Sequence, residues 1–213
     1  MLAGSPGRGL TWSSGGIVGA IGGPNRAVGY RPLQKVLHWV IAAGLAVQLL
    51  LGLGVDRSDG WFDALERVLP GDPEGWVMAS HVGLGVTLFV LVVLRLAVRR
   101  RFGLPPWASQ LSARERRLVH RLEQVLYAAM LAAPATGLIL FLLAGESLPF
   151  AGSRWDAPGD LVDDDVALGL HVLSQLVLVA AVAVHLVIVG RHQLLRRDGL
   201  ARRMWWNRSG RSG

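Results

Sequence analysis

Four long apolar segments constrain this sequence more than any other feature. Each is long enough for the roughly 20 helical residues that cross a hydrocarbon core of about 30 Å. They cover about residues 36–55, 76–98, 122–143 and 166–189. Of the 213 residues, 52% are hydrophobic and 17% charged, which is too apolar for an ordinary soluble domain of this size. The sequence therefore predicts an all-α fold, an integral membrane four-helix bundle.

Charge alternates in sign between these segments. The N-terminal segment, the central loop and the C-terminal segment together contain nineteen basic and two acidic residues, a net charge of +17. The other two loops contain three basic and twelve acidic residues, a net charge of −9. By the positive-inside rule, both termini and the central loop are expected in the cytoplasm. Basic runs such as RRRFG then indicate topology and contacts with membrane lipid, and not a nucleic-acid partner.

The N-terminal and C-terminal segments flank the predicted membrane domain. Residues 1–30 are rich in glycine and predict a flexible arm, since IVGAIGG is too short for the apolar core of a secretory signal. Residues 31–203 form the predicted membrane domain, and 204–213 a basic tail. From Arg191 onward the sequence predicts a short interfacial helix with Trp205 and Trp206 at headgroup depth. The absence of cysteine excludes disulfides, thiolate-held clusters and covalent haem attachment through a CxxCH motif.

Four of the six histidines lie inside the predicted spans, where an ionisable side chain is costly and suggests a function. His81 and His171 both stand sixth from the outer end of their spans, so they share one level. His38 and His185 stand near the inner ends of theirs and define a second level. His171 and His185 are fourteen residues apart, which places them on one helix face about 21 Å apart along the axis. Each can therefore meet one partner across the bundle core.

Two bis-histidine levels favour two b-type haems. Imidazoles on both axial positions fill the coordination of the iron, which suits electron transfer rather than oxygen binding. Other interpretations stay open at this point. A single buried histidine can be a packing residue, and a proton relay also uses buried histidine, although more often with carboxylates at mid-membrane. A zinc site needs three or four protein ligands at one level, where the sequence has two histidines. The remaining histidines, His120 and His192, are expected to be solvated at the inner interface and not to be ligands.

Several pieces of sequence, in order, carry a family resemblance. They are KVLHW at 35–39, HVGLG at 81–85 followed by LRL with Arg95, LYAAMLAAPATG at 126–137, and HVLSQLVLVAAVAVH at 171–185. Over about residues 30–203 the chain resembles the bacterial four-helix cytochrome b561 family, whose relatives include the cytochrome b subunit of nickel–iron hydrogenases. The resemblance implies a multi-pass protein of the bacterial inner (plasma) membrane with two haem b groups. It implies ligation by His38 with His185 on the cytoplasmic side, and by His81 with His171 on the periplasmic side.

Other residues carry weaker expectations. Gly83 and Gly85 would let a porphyrin lie flat against the second span, or would serve ordinary close helix packing. Arg95 would pair with a haem propionate, or reach lipid phosphate. Pro134 is predicted to kink the third span. Family members often carry a histidine where this chain has Glu123, four residues before the tyrosine of the LY motif, so proton chemistry at that position is an open role.

These features predict transmembrane electron transfer, as a carrier or an oxidoreductase, between the quinone pool and an unidentified redox partner. The resemblance adds that some family members oxidise superoxide and reduce ubiquinone, although acidic outer loops would repel that anion. An alternative is a haem-bearing membrane anchor subunit of a larger respiratory dehydrogenase or hydrogenase complex. A haem-free scaffold or transporter is a further alternative, and a homodimer is left open.

Overall fold

Four long helices make up most of the structure. The computed structural model describes residues 29–55, 73–106, 111–143, 147–150, 153–156, 159, 161–197 and 200–205. The helices are α1 Pro32–Val55, α2 Pro73–Phe102, α3 Ala113–Leu143 and α4 Asp164–Gly190. All four are long and apolar enough to cross a membrane. The predicted all-α membrane bundle is therefore confirmed, and each helix contains its predicted span and extends beyond it.

Local sequence signals set several of the helix ends. The α2 helix ends at Phe102, and the next residue, Gly103, has a φ of 69°, the left-handed conformation that glycine adopts without strain. Ser112 and Glu115 form a reciprocal capping box at the start of α3, with Glu115 accepting from the Ser112 backbone N–H at 2.9 Å. Asp163 caps α4 by accepting from a backbone N–H at 3.1 Å. These signals explain why α2 ends, and why α3 and α4 begin, outside the apolar spans.

The bundle is built from two helix pairs. The α1 helix packs mainly on α2 and α3 mainly on α4, while a smaller α2–α3 contact joins the pairs. Ala129, Ala133 and Leu178 form a buried cluster between α3 and α4. Many large apolar side chains point outward, such as Leu50 at 69% exposure and Leu186 at 61%. In a bundle that crosses a membrane, this outer surface faces lipid tails.

Shorter elements occupy the connections. An antiparallel hairpin, β1 Ser147–Phe150 with β2 Ser153–Asp156, lies between α3 and α4. After α4 the chain continues as a π-helical turn, Arg191–Arg196, and then a 3-10 turn, Leu200–Met204. These two turns replace the single interfacial helix that the sequence predicted. Trp205 is 60% exposed, while the N-terminal arm up to residue 28, the first outer loop 56–72 and the tail 206–213, with Trp206, lie outside the described residues.

A candidate two-level histidine site

The structure brings the four span histidines together as two pairs. The ring centroids of His81 and His171 are 6.2 Å apart, and those of His38 and His185 are 6.4 Å apart. We call these the outer pair and the inner pair. The depth argument from the sequence named the same partners, while ligation of a metal by them stays a prediction. Within the described residues, metal-binding side chains do not gather in groups of three or more.

The His171 ring of the outer pair has a defined orientation. Its Nδ1 lies 3.0 Å from the carbonyl oxygen of Ala133, and a carbonyl only accepts, so Nδ1 carries the proton and donates it. Thr136 Oγ1 lies 3.3 Å from the same nitrogen. The opposite nitrogen, Nε2, keeps its lone pair and lies 3.2 Å from the amide nitrogen of Gln175. His171 is thus fixed in the tautomer that leaves Nε2 for a ligand.

Gln48 of α1 holds the other ring of the outer pair. Its amide nitrogen donates to the backbone carbonyl of His81 at 2.9 Å and lies 3.2 Å from Nδ1 and 3.3 Å from Nε2 of that ring. Its amide oxygen is buried and has no hydrogen-bond partner within the described ranges. Gln48, Gln175 and His171 line one cavity with about 420 Å³ of empty volume, whose other walls are apolar. Two carboxamides therefore lie in an otherwise apolar space beside the outer pair.

Two glycines make room for the outer rings. A Cβ on Gly137 would lie 2.9 Å from Cε1 of His171, and one on Gly52 would lie 3.1 Å from Cε1 of His81. Gly85 lies beside Gln48, because a Cβ there would lie 3.3 Å from the amide nitrogen, and its contact with a porphyrin stays a prediction. Gly83 has open space around it. At the outer level, Gly137 and Gly52 are therefore the glycines that leave room for the histidine rings.

The inner pair has a different environment. In the part of the chain that the structure describes, its rings make aromatic contacts and no hydrogen bond: His38 lies edge-on to Trp39, with ring centroids 5.4 Å apart. The guanidinium of Arg95 is close enough to act electrostatically on both His38 and His185. Arg95 donates from Nε to the Tyr127 hydroxyl at 3.0 Å. A fixed positive charge therefore accompanies the inner pair.

A polar cavity of about 290 Å³ lies at this inner end. Its polar lining includes Tyr30, Gln34, Arg95, Arg99, Glu123 and Tyr127. Glu123 forms an ion pair with Arg99, whose guanidinium lies 5.5 Å from the centre of the Tyr127 ring. Burial, and next the carboxylate of Glu123, raise the pKa of Tyr30, so its phenol stays a proton donor at neutral pH. The cavity thus combines a carboxylate, two phenols and two guanidinium groups.

The chain after α4 closes one side of this inner region. Lys35 donates to the Trp205 carbonyl at 2.9 Å, and the Trp39 indole donates to the Met204 carbonyl at 3.2 Å. The rings of Trp39 and Trp205 also meet edge to face, with centroids 5.2 Å apart. Trp39 therefore fastens the C-terminal segment to α1 beside His38.

The two remaining histidines differ from each other. His120 is exposed, as expected. The expectation for His192 was wrong, because this residue is only 5% exposed. Seven residues, about two helical turns, separate His192 from His185, so both lie on the inward helix face. That spacing is a signal in the sequence that could have identified it, just as the mid-span position of Gln48 could have marked a functional polar residue.

Comparisons with known proteins agree with this architecture. A family model described as prokaryotic cytochrome b561 matches residues 29–207, a range that includes both histidine pairs. A curated relative, cytochrome b562 of Cereibacter sphaeroides, is 27% identical over 176 residues. That match covers 83% of this chain and 94% of the relative.

Proposed function

Because the chain belongs to the prokaryotic cytochrome b561 family, and is therefore a haem-binding membrane electron-transfer cytochrome, we propose that it carries two b-type haems. His81 and His171 would hold the outer haem, and His38 and His185 the inner haem. The function that follows is one-electron transfer across the bacterial inner membrane. Each histidine pair joins α4 to a different helix, α2 at the outer level and α1 at the inner level. The α4 helix is thus shared by both sites.

The spacing of the rings carries this proposal. Two imidazoles that share one iron would have ring centroids roughly 6.2 Å apart, with about 2 Å for each metal–nitrogen bond and about 1.1 Å from each nitrogen to its ring centre. The outer and inner pairs have separations of 6.2 Å and 6.4 Å. At His171 the Nδ1 proton is already donated to a carbonyl, which leaves Nε2 for the iron. The donor set and its spacing therefore fit bis-histidine haem.

The depth of the two pairs supports transfer across the membrane. Bound haem would supply a one-electron couple, and the protein fixes where each couple lies. His171 and His185 are fourteen residues apart on one helix, about 21 Å along its axis. One pair therefore lies near each end of the bundle. The charge difference between the loops supports a cytoplasmic position for both termini and the inner pair.

The polar cavity at the inner end supports coupling to the quinone pool. Quinone reduction consumes protons as well as electrons, so a site for it needs groups that exchange protons beside the electron carrier. Glu123, Tyr30 and Tyr127 supply such groups, and Arg95 links the cavity to the inner pair. In this proposal Glu123 takes the part that a histidine has in many relatives.

Superoxide oxidation at the outer face is a narrower form of this proposal. The acidic outer loops would slow the approach of that anion. Stopped-flow decay of superoxide with haem-loaded protein tests it directly. A decay faster than spontaneous dismutation supports the activity, and a rate equal to spontaneous dismutation removes it.

Transfer across a sealed membrane tests the main proposal. Haem-loaded protein is reconstituted into liposomes that contain trapped ferricyanide, and dithionite is added outside. We expect the trapped ferricyanide to be reduced faster than in protein-free liposomes, and His185→Ala to abolish the acceleration. His120→Ala, at an exposed histidine, is the matched control and should transfer electrons normally. A rate equal to that of protein-free liposomes would contradict transmembrane transfer.

A further inference from the structure

The inner histidine pair joins two helices that belong to different helix pairs. His38 lies on α1 and His185 on α4. The α1 helix packs mainly on α2, and α4 packs mainly on α3, so direct contact between α1 and α4 is slight among the described residues. Two axial ligands must keep a fixed separation to share one iron. Contacts other than α1–α4 packing must therefore hold the two rings opposite each other.

The chain beyond α4 supplies such contacts. We call residues 200–205 the C-terminal strap. Two of its carbonyls accept hydrogen bonds from α1: that of Trp205 from Nζ of Lys35 at 2.9 Å, and that of Met204 from Nε1 of Trp39 at 3.2 Å. The two tryptophan rings also lie edge to face, with centroids 5.2 Å apart. The strap is therefore attached to the first two turns of α1, which contain the inner ligand of that helix.

Further contacts attach the strap to the rest of the inner end. The backbone N–H of Tyr30 donates to the carbonyl of Arg203 at 3.4 Å. The Arg203 side chain donates from Nη2 to the carbonyl of Pro106, just after α2, at 2.7 Å. The π-helical turn that continues α4 packs on both α4 and the strap. Packing thus connects α4 to the strap, and hydrogen bonds connect the strap to α1.

The outer pair is supported by other parts of the chain. The His171 ring donates to the Ala133 carbonyl of α3 at 3.0 Å, and the His81 carbonyl accepts from Gln48 of α1 at 2.9 Å. The two levels are about 21 Å apart along α4, since their α4 ligands are fourteen residues apart. Loss of the strap contacts should therefore act on the inner level alone.

We propose that the C-terminal strap positions the inner haem: by tying α1 to the chain beyond α4, it keeps His38 opposite His185. This inference rests on the proposed ligation by that pair. An iron with two axial imidazoles has no open position for a small ligand such as carbon monoxide. Release of the strap would let α1 move and His38 leave the iron. Carbon monoxide would then bind the reduced inner haem.

Carbon monoxide difference spectra of the full, haem-loaded and dithionite-reduced chain test this. Lys35→Met removes one donor to the strap, and Trp39→Phe removes the other but keeps an aromatic ring. In the double variant we expect the fraction of inner haem that binds carbon monoxide to rise about tenfold over the wild type, within the range for lost ligand support. The outer haem, identified as the component that persists in His185→Ala, should not react.

Two single variants are the controls. Lys35→Arg keeps a cationic donor and should behave as the wild type. Arg202→Met removes one positive charge from the strap itself, at an exposed side chain that forms no hydrogen bond or ion pair within the described residues. It should leave both haems closed to carbon monoxide.

Three results would overturn the proposal. They are an inner haem as closed as that of the wild type in the double variant, an equal reaction at both haems, and an equal reaction in Arg202→Met. Should the double variant lose its inner haem or fail to fold, Lys35→Met alone decides: an inner haem more reactive than in Arg202→Met supports the strap, and an equally closed one refutes it. A wild-type chain without haem at the inner pair would instead refute the proposed function, so the two failures are distinguishable.

Discussion

The outer and inner histidine pairs have similar ring spacing but different surroundings. At the outer pair, a hydrogen bond from the His171 ring to a backbone carbonyl and contacts with side-chain amides orient the rings. At the inner pair, the rings pack against each other and Trp39, and the charge of Arg95 lies nearby. Hydrogen bonding to the ligand and local charge are separate influences on a haem potential. One bundle can therefore adjust two sites independently although both use the same helix.

These influences have opposite signs. An acceptor on an axial imidazole stabilises the oxidised iron and lowers its potential, whereas a nearby guanidinium stabilises the added electron and raises it. We therefore expect the outer haem to have the lower midpoint potential. Electrons would then move downhill from the outer to the inner level, toward the polar cavity with Glu123.

Removal of one proposed ligand should distinguish the outer site from the inner site most strongly. In His185→Ala we expect complete loss of the inner haem with the outer haem retained, and in His81→Ala the reverse. The reason is that each pair joins a different helix to α4. Haem content per chain measures the outcome. Loss of both haems from either variant, in a chain that still folds by circular dichroism, would contradict independent sites.

A side chain on Gly137 should affect the outer site alone. In Gly137→Ala the new Cβ would lie 2.9 Å from a His171 ring that hydrogen bonds already hold in place. We expect about tenfold weaker retention of the outer haem, within the range for disturbed ligand support. Gly169→Ala on α4 is the control, since a Cβ there meets nothing within 4 Å. Equal haem loss in both variants would show that the effect is general helix destabilisation.

Neutralising Arg95 should affect the inner site alone. In Arg95→Gln we expect the midpoint potential of the inner haem to fall, because a nearby positive charge is lost. The free energy of reduction should change by the order of 1 kcal/mol per electron. Arg95→Lys keeps the charge, so the midpoint potential of its inner haem should fall less. Redox titration of both variants measures this. A larger change at the outer haem than at the inner would contradict the assignment of Arg95 to the inner level.

Thr136→Val should give the smallest effect. The variant keeps the side-chain shape but removes the hydroxyl 3.3 Å from Nδ1 of His171, while the Ala133 carbonyl remains as the main acceptor. We expect the free energy of reduction of the outer haem to change by only about a few tenths of a kcal/mol per electron. A tenfold change in the oxidised-to-reduced ratio of the outer haem, about 59 mV, would mean that the hydroxyl, and not the carbonyl, orients this ring.

The membrane fold and the pairing of the histidines could be predicted because both follow from regular spacing along helices. Apolar length identified the spans, and the fourteen-residue separation fixed the depth and face of His171 and His185. The surroundings of the rings could not be predicted. Gln48 meets His81 thirty-three residues away through the α1–α2 packing, which no local pattern encodes. The burial of His192 was missed, although its seven-residue spacing from His185 was available.

The haem content of the purified protein tests the central claim most directly. A dithionite-reduced minus oxidised spectrum identifies the haem type, and a pyridine haemochrome assay counts haem per chain. We predict a b-type α band, two haems per chain and two components in a redox titration. One haem per chain, or a spectrum without a b-type band, would contradict the assignment of a haem to each histidine pair.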